Sequence, residues 1–375
     1  MPIIVFDAHL SRAETLATAN GWVRTLSFTG DGAGLLATTH DEGGHVLGLR
    51  VSGGQLAFSI PVPVAPSELE SMGDGRAYVM TGSAPDAAGV AIVLSVVGDP
   101  SISQVPVCHV PPLGLALGPD EDRLYTTCPD SGVVEVDLVL RRRVRAVPLS
   151  NGAPAAPPCD AGSPVAGSSG AVLFIPCRGS GVVLRVDRVT LRTLDAVDLG
   201  VPAIRDLAGG PSGALMALAD GEPSLLVPLD RRGRPSQPGI ALPAGASRLA
   251  LTAKPSIAYV VGDGPDGGWL AWVDLGSGGV RVVPIPAGPA AVAVWPNPFP
   301  PVMWFAAGRQ EQPGSLRTRA VGRATPPSRA ARGRLREMVE VSTRPLARAS
   351  LRLTAGSSIR FPISTTVSSA RAGMW

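Results

Sequence analysis

The feature that most restricts the fold is a glycine-containing turn that returns about once every 43 residues. It reads TGDGA at Gly30, GDGR at Gly73, GPDED at Gly118, GSSG at Gly167 and GPSG at Gly210, with weaker forms around Ala253 and Pro296, in steps of 43, 45, 49, 43, 43 and 43 residues. A short apolar run precedes each turn, such as LGLAL (113–117) and AAVAV (290–294). A second follows it, such as LYTTC (124–128), VLFIPC (172–177) and VMWFAA (302–307). A third run often ends in an aspartate, as at Asp137, Asp187, Asp230 and Asp274, and a fourth follows, such as VRAVPL. Four strands in each unit of this length predict the blades of an all-β propeller.

Seven turns predict seven four-stranded antiparallel blades, at about 24–66, 67–107, 108–158, 159–200, 201–243, 244–286, and 287–308 joined to 2–23. In the last, the N-terminal run IIVFDAHLSRAETLATA supplies a third and a fourth strand, which closes the ring and removes exposed sheet edges. The 45 glycines and 38 prolines suit many short strands joined by turns.

The unit LGPDEDRLYTTCPDSGVVEVDL, with Tyr125, Thr126, Thr127 and Cys128 in its second strand, resembles the YVTN family of β-propeller repeats, as does GDGRAYVMTG. The resemblance covers roughly residues 2–308 and implies the fold. Some propellers of this kind are similar to lactonases, but the residues that would carry that activity are not identifiable here. WD repeats are disfavoured, since no Gly-His and Trp-Asp pair recurs.

All four cysteines fall in two adjacent units, Cys108 with Cys128 and Cys159 with Cys177, and each pair is centred on a hairpin turn. Residues equidistant from such a turn face each other at about 4.5–5.5 Å between Cα atoms, within disulfide range. Two homologous disulfides are therefore expected, each clamping the first two strands of its blade. Buried free thiols are the alternative, and a zinc site lacks the usual Cys-x-x-Cys spacing. Disulfides point to an oxidising compartment, periplasmic or secreted. The opening MPIIVFDAHLSRAE shows no export signal, so either translation starts upstream of Met1 or the protein is cytoplasmic with reduced thiols.

Charge is distributed unevenly. Residues 309–375 carry 13 arginines against three glutamates, whereas residues 1–308 carry 20 basic and 27 acidic side chains. The first 308 residues form the expected propeller domain and the remainder a basic tail of low order, with a short helix suggested around ARGRLREMVEV. Arginine-rich composition throughout, with Lys254 the one lysine, weakens any nucleic-acid reading, and no run is long enough to span a membrane.

Two groups of residues offer chemistry. His40, Asp41, Glu42 and His45 lie in one loop, with His109 and Asp130 expected on the same face; such a run is more often a solvated turn than a metal site. Glu68, Glu70, Arg205, Asp206 and Arg248 interrupt the apolar first strands and are expected at the central channel. They suit binding of a ligand or acid–base work on a sugar lactone, although paired charges in a wet channel would look the same. No nucleophile elbow, P-loop, dinucleotide fingerprint or His-Glu-x-x-His occurs. The expectation is a monomeric, non-enzymatic scaffold that binds a protein or small molecule, with no metal or cofactor; a lactonase-like hydrolase is the alternative.

Overall fold

The recurring turns close with the same backbone hydrogen bond. The N–H of Gly118 donates to Arg123 O at 2.8 Å, that of Gly167 to Val172 O at 2.8 Å, and that of Gly210 to Ala214 O at 2.7 Å. Each bond folds the first apolar run back on the second, and the alternation of sides along the strands does the rest.

A computed structural model of the chain describes residues 2–6, 10, 13–18, 22–29, 32–40, 44–51, 53–72, 77–83, 88–95, 101–149, 159–210, 213–252, 256–265, 267–286, 288, 291–294, 340–342 and 350–352. The chain forms two compact units, Met1–Ala306 and Ala307–Trp375.

The first unit opens with the hairpin β1 (Pro2–Phe6) and β2 (Ala13–Thr18). Six four-stranded antiparallel sheets follow. The first holds β3 (Trp22–Phe28), β4 (Gly34–His40), β5 (Gly44–Arg50) and β6 (Leu56–Val62). The second holds β7 (Ala65–Ser71), β8 (Ala77–Ser83), β9 (Gly89–Ser95) and β10 (Ser101–Cys108). In the third are β11 (Ala116–Leu117), β12 (Arg123–Cys128), β13 (Gly132–Asp137) and β14 (Arg142–Val147). In the fourth are β15 (Val165–Ala166), β16 (Val172–Cys177), β17 (Val182–Asp187) and β18 (Thr193–Asp198). The fifth comprises β19 (Ile204–Gly209), β20 (Leu215–Ala219), β21 (Ser224–Leu229) and β22 (Ile240–Leu242). The sixth comprises β23 (Ala246–Leu251), β24 (Ile257–Gly264), β25 (Gly267–Asp274) and β26 (Val280–Ile285).

Each sheet is an up-and-down meander, which makes it a propeller blade. The second strands are buried almost throughout, as in β12, β16 and β20, because both of their faces meet a neighbouring blade. Outer strands such as β14 and β26 are exposed or half-buried, with no buried position. Apolar clusters cross the blade boundaries. Leu218 and Leu226 of the fifth blade pack with Val260 and Trp269 of the sixth, and Tyr125 of the third packs with Leu173 and Ile175 of the fourth.

Among the described residues the expected seventh blade is not formed. Residues 291–294 are not a strand, 302–307 lie outside the described residues, and β1 and β2 pair with each other as a two-stranded sheet. The described residues therefore form a propeller of six four-stranded blades, not seven. Alternating alanine and valine give 290–294 the composition of a strand, but a strand also needs a hydrogen-bonded partner, and among the described residues 291–294 enter no ladder. Side-chain burial holds this stretch instead. Ala293 joins Ile3 and the first blade's Val23 and Leu35, while Val292 joins Leu10 and the sixth blade's Val261 and Leu270.

The tetrapeptide 125–128 serves structure at every position. Tyr125 is buried and its hydroxyl accepts a bond from Arg188 at 3.3 Å, from the next blade. Thr126 donates to the carbonyl of Gly114, Thr127 donates to that of Gly162 at 2.7 Å, and Cys128 is disulfide-bonded.

Both cysteine pairs are joined, with Cα atoms 5.7 Å apart for Cys108–Cys128 and 5.0 Å for Cys159–Cys177. Their placement differs from a simple hairpin clamp. Cys108 ends β10, so its bond ties the second blade to the third. The register that pairs Ala116 with Tyr125 brings Leu113, rather than Cys108, beside the end of β12, where its N–H donates to Thr127 O. In the fourth blade Ala161 bridges Cys177, and Cys159 lies two residues earlier.

The second unit contains β27 (Glu340–Ser342) paired antiparallel with β28 (Ser350–Arg352), where the sequence suggests the end of a helix. Among the described residues no helix is long and apolar enough to cross a membrane.

Candidate functional site

Four of the first strands carry a β-bulge at a common place: between Val23 and Thr25 in β3, Pro66 and Glu68 in β7, Ile204 and Asp206 in β19, and Ala246 and Arg248 in β23. A bulge turns the following side chain relative to the ladder. Here the following residues are Thr25, Glu68, Asp206 and Arg248, and all four line one cavity of about 390 Å³ enclosed by the first strands and residues 291–292. Glu70, two residues beyond Glu68 and so on the same face of β7, lines it as well.

Three carboxylates thus share this space with two guanidinium groups, those of Arg248 and Arg24. Asp206 is fixed by the backbone: its Oδ1 accepts the N–H of Leu207 at 3.0 Å and its Oδ2 that of Leu249, on the sixth blade, at 2.9 Å. Burial pushes its carboxyl up to about 6, against the pull of Arg248 and the two N–H groups. Burial also pushes Glu68 up to about 7, with Arg248 opposing and Asp206 adding to the rise. For Glu70 burial and the neighbouring Glu68 raise the carboxyl to about 7, despite a backbone bond from Leu117. The cations are too few and too exposed to keep all three groups ionised, so the cluster holds protons close to neutral pH.

Of the residues expected at the channel, Glu68, Glu70, Asp206 and Arg248 come together, and Arg205 does not. Arg205 is the bulged residue itself and pairs with Asp220 at 2.8 Å in a more exposed position. Arg24 completes the set and was not anticipated. Its signal was the same one that marked the others, a charged residue inside an apolar first-strand run, WVRTLSF.

The loop candidates are dispersed. His40 ends β4, but its side chain, Asp41 and Glu42 lie outside the described residues. His45 shares a 3.3 Å hydrogen bond with Ser59 on the adjoining strand. His109 and Asp130 do meet, through the backbone N–H of His109 to Asp130 Oδ2 at 3.2 Å, beside the Cys108–Cys128 bond. The two sulfurs and an Asp130 oxygen lie within 4.8 Å of one another, but sulfurs bonded to each other offer no thiolate to a metal.

The recurrent aspartates at third-strand ends are turn anchors. Asp137 Oδ1 accepts the N–H of Leu140 at 2.7 Å, Asp187 Oδ1 that of Thr190 at 2.7 Å, and Asp274 Oδ1 that of Gly276 at 2.8 Å. These bonds hold all three carboxyls below the usual range, with the Thr190 hydroxyl leading at Asp187. A second cavity, of about 320 Å³, lies between the fourth and fifth blades. Its one carboxylate, Asp230, is occupied by the N–H groups of Arg232 and Arg234.

No protein-family model matches the chain, and no curated protein does, so nothing beyond the sequence itself supports the YVTN family in particular. Solved structures do match. The chain is similar to hydrazine synthase from Kuenenia stuttgartiensis, at 15% identity over 75% of this chain and 92% of that one, with a TM-score of 0.58. It is also similar to the Cps50 (Swd1) β-propeller domain from Myceliophteria thermophila, at 16% identity over 74% of this chain and 91% of that one, with a TM-score of 0.60. At this identity the likeness establishes the β-propeller fold alone.

Proposed function

We propose that the protein is a non-enzymatic, ligand-binding propeller that holds a small ammonium-bearing molecule in its channel. The observation that carries the reading is the cluster of Glu68, Glu70 and Asp206 around one cavity, with two of the carboxyls pushed up to about 7. A buried carboxyl with too little counter-charge around it takes a proton, and a ligand cation of suitable size replaces that proton. Arg24 and Arg248, on the same wall, suit an acidic group at the other end of a zwitterion. The two disulfides favour an extracytoplasmic location, periplasmic or secreted.

Calorimetric titration with lysine, putrescine and choline, set against neutral polyols, tests this reading. Binding of an amine should strengthen from pH 6 to pH 8, release protons near pH 7, and fall about tenfold or more in Glu68→Gln. Polyols binding as well as amines, or an unchanged affinity in Glu68→Gln, would sink it.

A lactonase-like hydrolase is the second reading. Two adjacent carboxyls that titrate near neutrality can supply one protonated acid and one ionised base. It requires turnover of a lactone that is lost in both Glu68→Gln and Glu70→Gln.

A further inference from the structure

The turns between third and fourth strands are not alike around the propeller. In the third blade, Val139 and Leu140 stand 74% and 59% exposed at the tip between β13 and β14. In the fourth blade, Val189 occupies the same place between β17 and β18 at 68%. The residue leaving the third strand is buried in the first, third and sixth blades alike, as Val51, Leu138 and Leu275. Beyond it the first blade has Gly53 and Gly54 ahead of an exposed Leu56, and the sixth has glycine and serine. The fifth turn is Arg231, Arg232, Gly233 and Arg234, and residues 96–100 of the second lie outside the described residues. Solvated turns have no need of aliphatic tips, so their recurrence on two adjacent blades calls for a cause.

Both tips are held by hydrogen bonds. Asp137 and Asp187 anchor the two turns through the N–H groups of Leu140 and Thr190. Arg145 on β14 donates to the carbonyl of Val189, joining the outer strand of the third blade to the tip of the fourth, and Arg141 reaches Ser103 on the second blade, next to the exposed Ile102. Directly behind the tips come Arg141, Arg142 and Arg143 on the third blade and Arg192 on the fourth, all exposed. Among the described residues none of these four takes part in an ion pair, although residues 1–308 carry an excess of acidic side chains.

We infer that this edge of the third and fourth blades docks on an anionic membrane surface. Aliphatic tips with arginines one layer behind them match the order in which a bilayer presents acyl chains and phosphates, and the arginine stems can extend to the headgroups. A protein interface would be organised around aromatic anchors in a desolvated centre, and among the described residues the patch holds valine, leucine, isoleucine and arginine without an aromatic ring. The docking is peripheral, and it does not depend on the reading of the channel.

The test is co-sedimentation of the full chain with phosphatidylcholine vesicles, with and without phosphatidylglycerol. Wild-type protein should bind the anionic vesicles and not the neutral ones. The double variants Val139→Asp with Leu140→Asp, and Arg142→Glu with Arg143→Glu, should each lose about tenfold or more in partitioning at unchanged melting temperature. Val280→Asp with Val282→Asp, exposed aliphatics on the sixth blade, should behave as wild type and controls for added charge and for binding through residues 309–375. Absent binding to anionic vesicles, or patch variants that bind no worse than the control, would overturn the assignment. So would patch variants that change the sedimentation of lipid-free protein while leaving vesicle binding intact, since the patch would then be a contact between copies.

Discussion

The Asp206 carboxylate, on the innermost strand of the fifth blade, accepts the N–H of Leu249, on the innermost strand of the sixth, at 2.9 Å. One side chain therefore lines the channel and stitches two blades together. Replacing it with alanine leaves the N–H groups of Leu207 and Leu249 without their acceptor and should cost about 1–3 kcal/mol in denaturant unfolding. Asp206→Asn keeps an acceptor oxygen and should cost less. An alanine variant as stable as wild type would mean that these bonds contribute little.

The channel carboxyls make stability depend on pH in a direction opposite to that of ordinary ion-paired acids. Glu68 and Glu70 rise from 4.5 to about 7 and Asp206 from 3.8 to about 6, so the folded chain holds these protons more tightly than the unfolded chain. Their favourable contribution is fully present below the unfolded values and is lost as pH rises to about 7. Asp137, Asp187 and Asp274 are shifted downward and act in the other window, losing their contribution as pH falls below 3.8. Stability should therefore peak between the two windows and decline by a few kcal/mol toward neutrality. Glu68→Gln with Glu70→Gln should flatten the decline and raise the melting temperature at pH 8.

Disulfide loss should be felt in both blades. The closed loops span 20 and 18 residues, for which the chain-entropy model gives about 3 kcal/mol each. Cys108→Ala with Cys128→Ala removes a tie between two blades, and Cys159→Ala with Cys177→Ala one within the fourth. Each should lower unfolding free energy by about 2–4 kcal/mol under non-reducing conditions and abolish the further loss that reductant causes at that pair.

Thr127 is fully buried and donates across the junction of the third and fourth blades to Gly162 O at 2.7 Å. Thr127→Val keeps the shape and removes the donor, which should cost about 1–2 kcal/mol in urea unfolding, whereas Thr127→Ser retains the bond. A valine variant as stable as wild type would show the carbonyl to be satisfied in another way.

The blade repeat was legible because its markers are local: a turn glycine with a fixed backbone bond, two apolar runs beside it, and an aspartate anchoring the third-strand turn. Blade number was not, because it depends on pairing between distant segments. The run 290–294 has the composition of a first strand, yet among the described residues 291–294 enter no ladder, while β1 and β2 find each other. Cysteine spacing revealed the pairs, but the register of Ala116 with Tyr125 placed Cys108 in a neighbouring blade. At the channel, charges inside apolar runs pointed to Glu68, Glu70, Asp206 and Arg248. The bulges that separate Asp206 from its neighbour Arg205 are backbone features with no residue signature of their own.

The most direct test of the channel site is a pH titration of the side-chain carboxyl carbons of Glu68 and Glu70 by NMR, assigned through the single glutamine variants. The account expects both midpoints near 7, with each variant moving the midpoint of the remaining glutamate downward as its neighbour's charge is removed. Midpoints near 4.5 for both, with neither responding to the other, would contradict it.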